Sequence, residues 1–302
     1  MLKKNLFLAV LIGYVASASA APLASKHVLV VEEGTGEVLY QKDANVMAPI
    51  ASITKIMTAM VVLDAHPDMD EMIPIAVPGL ASRMRSYSRL PAGTMLPRRT
   101  VLQLALMSSD NRAAQSLAEA YPGGMDAFLA AVEAKAAALG MTHTHIEEPT
   151  GLSSANRSTP ADLVKMAQAA AQYPDIVRVT TDSGEVVDVN GRPLEYHNTN
   201  RLVGKQGWED ILLSKTGTTN AAGRCLLMRL QAAGRTVTLV LLDAKKGAAR
   251  FIDAMKIRSL VSGETSTAML DAPAAVRHGR GVPHHRYVKA HKRVHMTIAS
   301  RT

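Results

Sequence analysis

Pro49-Ile50-Ala51-Ser52-Ile53-Thr54-Lys55-Ile56-Met57-Thr58-Ala59-Met60 sets a hydroxyl and an amine three residues apart in an otherwise apolar stretch. Helical spacing stacks positions 52 and 55 on one face, a single turn apart. The run from Ala51 to Ala65 is rich in Ile, Met, Val and Ala on nearly all sides, so it reads as a buried helix. A polar pair inside such a helix needs a reason. Ser52 falls in the first turn, where unpaired N–H groups and the helix dipole favour a developing negative charge. A serine hydroxyl is a poor nucleophile until a base removes its proton. Lys55 is the nearest candidate base, and it can serve only when neutral. Burial, together with a second cation in the same cleft, would lower its pKa in that direction.

Outward from this helix, the pattern alternates between strand and helix periods. Val28 to Glu33, Gly34-Thr35-Gly36 and Glu37 to Tyr40 read as a hairpin with a glycine turn. A loop-rich, Pro-marked stretch runs from His66 to Arg99. Thr100 is expected to cap a helix over Val101 to Met107, a second helix starts just past Ser109, and a third spans Met125 to Leu139 and stops at Gly140. Ser158-Thr159-Pro160-Ala161-Asp162 opens another helix, to about Gln172. From Val177 the period switches toward strands. Ile211 to Lys215, Gly223 to Leu230 and Thr236 to Asp243 read as consecutive antiparallel strands, and Ala248 to Val261 as a closing helix. The expected fold class is therefore α+β, with one antiparallel sheet built from both chain ends and a helical lobe between them.

Two further strings lie at the edges of these elements. Ser109-Asp110-Asn111 sits at a break between helices, where Ser109 can relay a proton and Asn111 can bond both a peptide and Lys55. A helix cap accounts for the tripeptide equally well, and Asp110 reads as a structural residue facing away from the cleft. Lys215-Thr216-Gly217 ends an apolar strand whose edge can pair with an extended peptide. Lys215 supplies charge, Thr216 a hydroxyl for a carboxylate, and Gly217 close backbone approach. The backbone N–H groups of Thr218 and Ser52 would then form an oxyanion hole.

Serine-x-x-lysine, serine-aspartate-asparagine and lysine-threonine-glycine in this order are the equipment of active-serine enzymes that penicillin acylates. With Leu104 to Ala114, Glu148-Pro149-Thr150-Gly151-Leu152-Ser153, Asn198-Thr199-Asn200 and Lys215 to Cys225, the chain resembles the penicillin-binding low-molecular-mass D-alanyl-D-alanine peptidases over residues 25 to 262. It is most similar to their endopeptidase branch. The resemblance implies the serine β-lactamase/transpeptidase-like fold, an acyl-enzyme on Ser52 and no cofactor. The implied substrate is the D-alanyl-diaminopimelyl cross-link of peptidoglycan, with β-lactams as covalent inhibitors. It also implies a carboxylate-binding role for Arg250, which lies where carboxypeptidase relatives place an arginine; a solvated helix residue accounts for it equally well. Many relatives carry a second β-rich domain and a C-terminal amphipathic helix, whereas here only a basic tail follows.

Composition sets the compartment. Met1-Leu2-Lys3-Lys4, an apolar run from Leu6 to Val15 and Ala18-Ser19-Ala20 read as a secretory signal over residues 1–20, leaving a peptidase domain over 21–262 and export to the periplasm. Cys225, the only cysteine, excludes an internal disulfide and reads as a small buried hydrophobe. The net charge of +8 falls to +6 without Lys3 and Lys4. That excess is concentrated in the tail, residues 263–302, which has no acidic residue beyond Asp271 and no apolar periodicity, so it reads as disordered. A metal site at His278, His284, His285, His291 and His295 lacks acidic or cysteine partners, and no nucleic-acid partner is expected. A class A-like β-lactamase would need a water-activating glutamate. Glu147 and Glu148 lie in the right region, but not in that family's Glu-x-x-Leu-Asn arrangement. A non-catalytic wall-binding protein is the other alternative, and the full set of reactive side chains argues against it. The tail is expected to hold the protein near anionic envelope surfaces. Deleting residues 264–302 should lower its sedimentation with envelopes in low salt, and unchanged partitioning would remove that role.

Overall fold

The computed structural model describes residues 22–77 and 88–264. Residues 1–20, read above as a signal, and the tail beyond residue 264 lie outside the described residues. The chain opens with β1 (His27–Glu32) and β2 (Val38–Lys42), the hairpin expected from the glycine turn. A two-residue strand, β3 (Ala48–Pro49), leads into a 3-10 turn over Ala51–Ile53 and then α1 (Thr54–Asp64), buried from Thr54 through Val62 as its composition requires. The Pro-marked stretch contains a short antiparallel ribbon, β4 (Met72–Pro74) against β5 (Met95–Pro97).

Three helices follow: α2 (Arg98–Leu106), α3 (Asn111–Glu119) and α4 (Gly124–Ala138). Thr100 does not cap α2. The helix begins three residues earlier than expected, at Arg98, because Pro97 holds an extended conformation immediately before it. Arg98 then turns inward, 3% exposed, and donates to the carbonyls of Asp68 and Ala120. After β6 (Arg157–Ser158), Thr159 caps α5 (Pro160–Ala170) by accepting from the Asp162 N–H, as the sequence signals.

The expectation of strands from Val177 onward is corrected. Pro174–Thr181 is a helix, α6, which buries Ile176, Val179 and Thr180 at helical spacing. Pro174 in its first turn marks that start, and packing of this apolar stripe overrides the strand preference of its β-branched residues. Strand structure resumes only at β7 (Gly184–Val189). This pairs with β8 (Arg192–His197) around Asn190-Gly191, a dipeptide suited to two-residue hairpin turns. β9 (Ile211–Thr219), β10 (Gly223–Ala232), β11 (Arg235–Ala244) and α7 (Ala249–Val261) complete the chain.

The principal sheet is antiparallel with order β2-β1-β11-β10-β9, so the N-terminal hairpin joins the three C-terminal strands. Its inner strands, β1, β11 and β10, are largely apolar because both faces are covered there, whereas edge strand β2 buries only Tyr40. Along β1, Leu29 and Val31 face the helical lobe around α1 and α5, while Val28 and Val30 face the layer under α7. The same alternation fixes the chemistry at β9. Lys215 pairs across from Leu227 and Gly217 from Cys225, residues of the helical-lobe core, so positions 215 and 217 point toward α1. Thr216 and Thr218 point the other way, toward α7. Among the described residues β9 is an edge strand, with backbone groups on one side available to a further strand.

Candidate active site

Ser52 lies in the 3-10 turn rather than in α1 proper, and Lys55 in the first turn of α1. The three-residue spacing still brings them together: Lys55 Nζ is 3.0 Å from Ser52 Oγ. The amine is 1% exposed and also donates to Asn111 Oδ1 and to the Thr150 carbonyl, each at 2.6 Å. A neutral amine has two hydrogens and one lone pair. Two carbonyl-type acceptors take the hydrogens, which leaves the lone pair facing the serine hydroxyl.

Burial lowers the Lys55 pKa to about 8, while the carboxylates of Glu148 and Asp110 pull it back upward. About a tenth of such amines are neutral at pH 7, against roughly one in 3,000 for an ordinary lysine. Lys215 is equally buried and pushed well below its usual value by desolvation, then by Lys55 and Arg250. Each lysine disfavours the other's protonation, and burial is the first cause at both. Lys215 Nζ donates only to the neighbouring Thr216 carbonyl among the described residues, at 3.1 Å, so it keeps donors for another group.

The break between α2 and α3 is made by Ser109, held in a left-handed conformation at φ 60°. Asp110 caps α3 by accepting from the Ala113 N–H at 3.0 Å, and its second oxygen accepts from Ser88 at 2.7 Å. This is the structural role its position suggests. The turn sends Asn111 to Lys55. Half-buried Ser109 makes no side-chain hydrogen bond among the described residues, so the backbone alone places its hydroxyl.

At β9, a Cβ on Gly217 would stand 2.9 Å from the Ile50 carbonyl oxygen and 3.0 Å from the Ser52 nitrogen. Glycine is needed there because the strand runs directly against the peptide that carries Ser52. Thr216 Oγ1 donates to Thr199 Oγ1 at 2.7 Å, and exposed Thr218 sits at the end of the strand. Arg250, in the first turn of α7, reaches that end: its guanidinium donates to the Gly217 carbonyl at 2.8 Å and to Thr218 Oγ1 at 2.9 Å. It is 9% exposed and its pKa falls to about 10, from burial and then from Arg224 and Arg201. Of the sequence-predicted residues, Ser52, Lys55, Asn111, Lys215 and Gly217 come together between α1 and β9, with Ser109 at the adjoining break, while Thr216, Thr218 and Arg250 lie on the α7 side of the same strand. Cys225 is buried beneath the strand, and its thiol is pushed up to about 11, which keeps it inert.

Sequence reasoning gave no role to Thr150, Gly151, Asn156 or Thr199, although it quoted three of the four as parts of matching stretches. Thr150 acts through a backbone carbonyl, which no residue type announces. Gly151, at φ 83°, would bring a Cβ to 2.0 Å from the Ala51 carbonyl oxygen. An isolated Thr-Gly is the only local signal for that contact. Asn198-Thr199-Asn200 proves to be a stitch: the Thr199 N–H donates to the Met107 carbonyl at 3.1 Å, and Asn200 donates to Ser214 at 3.2 Å.

The profile of the peptidase S11 family, described as D-alanyl-D-alanine carboxypeptidase, matches residues 14–246. A D-alanyl-D-alanine endopeptidase of Pseudomonas aeruginosa is 43% identical over 90% of this chain and 91% of its own. One of Escherichia coli is 42% identical over 86% and 83%. The crystal structure of the Streptomyces K15 DD-transpeptidase superposes with a TM-score of 0.74 at 28% identity, over 80% of this chain and 99% of its own.

Side-chain NMR of labelled lysine should find the Lys55 ammonium losing its proton near pH 8. In an Asn111→Asp variant, where an anion replaces the amide oxygen 2.6 Å away, the transition should move upward. A wild-type transition near pH 10 would contradict the burial argument.

Proposed function

The chain belongs to the peptidase S11 family, and from that membership we propose that it hydrolyses D-alanyl bonds of peptidoglycan cross-links through an ester on Ser52. The observation that carries the reading is the Lys55 nitrogen, 3.0 Å from Ser52 Oγ and 2.6 Å from both Asn111 Oδ1 and the Thr150 carbonyl; once the amine is neutral, those two acceptors take its hydrogens and its lone pair is left for the Ser52 hydroxyl.

An extended donor peptide pairs with the β9 edge and sets its D-alanyl carbonyl over Ser52. Ser52 Oγ attacks, its proton passes to Lys55 Nζ, and the oxyanion takes hydrogen bonds from the N–H groups of Ser52 and Thr218. Gly217 permits that approach. Collapse of the tetrahedral intermediate breaks the peptide bond, with the leaving amine taking its proton from Lys55 by way of Ser109. Water then attacks the ester, returns a proton to Ser52 and releases the acid. Thr216 and Arg250, at the end of the strand, hold the carboxylate on the leaving residue, and Lys215 adds positive charge beside Ser52. A β-lactam follows the first half of this course, its ring amide breaking as the ester forms, but its leaving nitrogen stays tethered.

Cleavage at the diaminopimelyl cross-link rests on the two relatives above 40% identity, both named endopeptidases. The alternative, removal of a terminal D-alanine, uses the same residues and rests on the family's description. The class A-like β-lactamase reading loses support at Glu148, whose two oxygens accept from its own loop rather than standing free to activate water. Export to the periplasm rests on the signal-like residues 1–20; no described helix is long and apolar enough to cross a membrane.

Fluorescent penicillin should label the wild type, and Ser52→Ala should abolish the label. Lys55→Ala should slow acylation by about 1,000-fold or more. Muropeptide dimers and free pentapeptides, digested in parallel and resolved by mass, decide the substrate. Monomers from dimers support the endopeptidase reading, and loss of terminal D-alanine alone would overturn it.

A further inference from the structure

The loop between α4 and α5 enters the reaction only through the Thr150 carbonyl, and it folds onto a single carboxylate. Glu148 Oε2 accepts from the Thr150 N–H at 2.7 Å and from Thr150 Oγ1 at 2.5 Å. Oε1 accepts from the Gly151 N–H at 2.6 Å, the Ser153 N–H at 3.3 Å and Asn156 Nδ2 at 3.0 Å. Asn156 is fully buried, and its amide also donates to the Glu148 carbonyl and to Thr54 Oγ1 on α1. Thr58 of α1 donates to the Pro149 carbonyl at 2.8 Å. The loop is therefore wound around Glu148 and fastened to the helix that carries Lys55.

Its two contacts with the reacting pair follow directly. The residue whose N–H and hydroxyl are held by Glu148 presents its carbonyl to Lys55 Nζ at 2.6 Å. The next residue, Gly151, also held by Glu148, lies against the Ala51–Ser52 peptide so closely that a Cβ would be 2.8 Å from the Ser52 nitrogen. We propose that Glu148 is a positioning residue for acylation: its carboxylate fixes the loop so that the Thr150 carbonyl takes one Lys55 hydrogen and turns the amine's lone pair onto Ser52.

The proposal rests on Lys55 being the base. Without the Thr150 acceptor, the amine can rotate and spend its lone pair elsewhere. Misplacement of this kind costs about tenfold to a hundredfold in rate. Glu148 also acts through its charge. The charged groups bearing on Lys55 among the described residues are Lys215 from β9, Asp110 at the α3 cap and Glu148 from the loop. Both carboxylates favour the protonated amine, so removing one lets Lys55 lose its proton at lower pH.

The test is the rate of acylation by benzylpenicillin as a function of pH, for the wild type, Glu148→Gln and Thr150→Val, with thermal unfolding of each as a check on folding. Glu148→Gln should slow the plateau rate at least tenfold and move the acid limb to lower pH. Thr150→Val keeps the charge but removes one donor to it, so it should slow acylation several-fold with the limb unmoved. An unchanged Glu148→Gln, or one slowed with an unmoved limb, would reduce Glu148 to a loop cap and overturn the proposal. If Glu148→Gln does not fold, Thr150→Val decides, and an unaltered rate overturns it. Failure of the wild type to acylate at Ser52 would instead sink the reading of Lys55 as base; normal wild-type acylation with an unaffected Glu148→Gln sinks only the role of Glu148.

Discussion

An amine 1% exposed must satisfy its hydrogens within the protein, and at Lys55 this requirement joins three segments far apart in sequence. Ser52 comes from the turn before α1, Asn111 from the start of α3, and the Thr150 carbonyl from the loop beyond α4. A buried polar group left unpaired costs about 1–3 kcal/mol, so these partners are not interchangeable with solvent. The same burial that demands partners also favours the uncharged amine. One constraint thus supplies both the geometry and the protonation state of a base.

The strand on the other side of Ser52 obeys a related logic. β9 must run against the peptide carrying the nucleophile, which only a residue without a Cβ permits at position 217. Alternation along the strand then places Lys215 with the nucleophile and sends Thr218 toward Arg250. Two buried lysines and a buried arginine on neighbouring elements repel one another. Neither lysine has a salt-bridge partner among the described residues, an arrangement suited to an anionic group arriving from outside. The apolar cores on both faces of the sheet hold these charges in place against that repulsion.

Much of this was legible in the sequence, for identifiable reasons. The apolar runs at Ile211, Gly223 and Thr236 declared consecutive antiparallel strands, and Ser52 and Lys55 stood out because their helix is otherwise apolar. Gly140, Thr159 and Pro160 marked helix ends by chemistry that acts within a few residues. What escaped depended on tertiary context. The β-branched residues after Pro174 read as strand until their burial at Ile176 and Val179 was known, and Thr100 looked like a cap because Pro97 was not weighed as the start. Thr150 works through its backbone, which the side-chain alphabet cannot show. Glu148 was considered as a possible water activator; five donors converging on its two oxygens give it a different task.

Endopeptidase and carboxypeptidase chemistry share every residue discussed, so discrimination between them lies in space beyond the leaving residue rather than in the reacting groups. The claim beneath both is that neutral Lys55 takes the Ser52 proton. Its most direct test is the single-turnover rate of penicillin acylation across pH 5 to 10 in the wild type. The account predicts a rise of about tenfold per pH unit that levels near pH 8, the value that burial gives Lys55. A rate independent of pH across that range would contradict it.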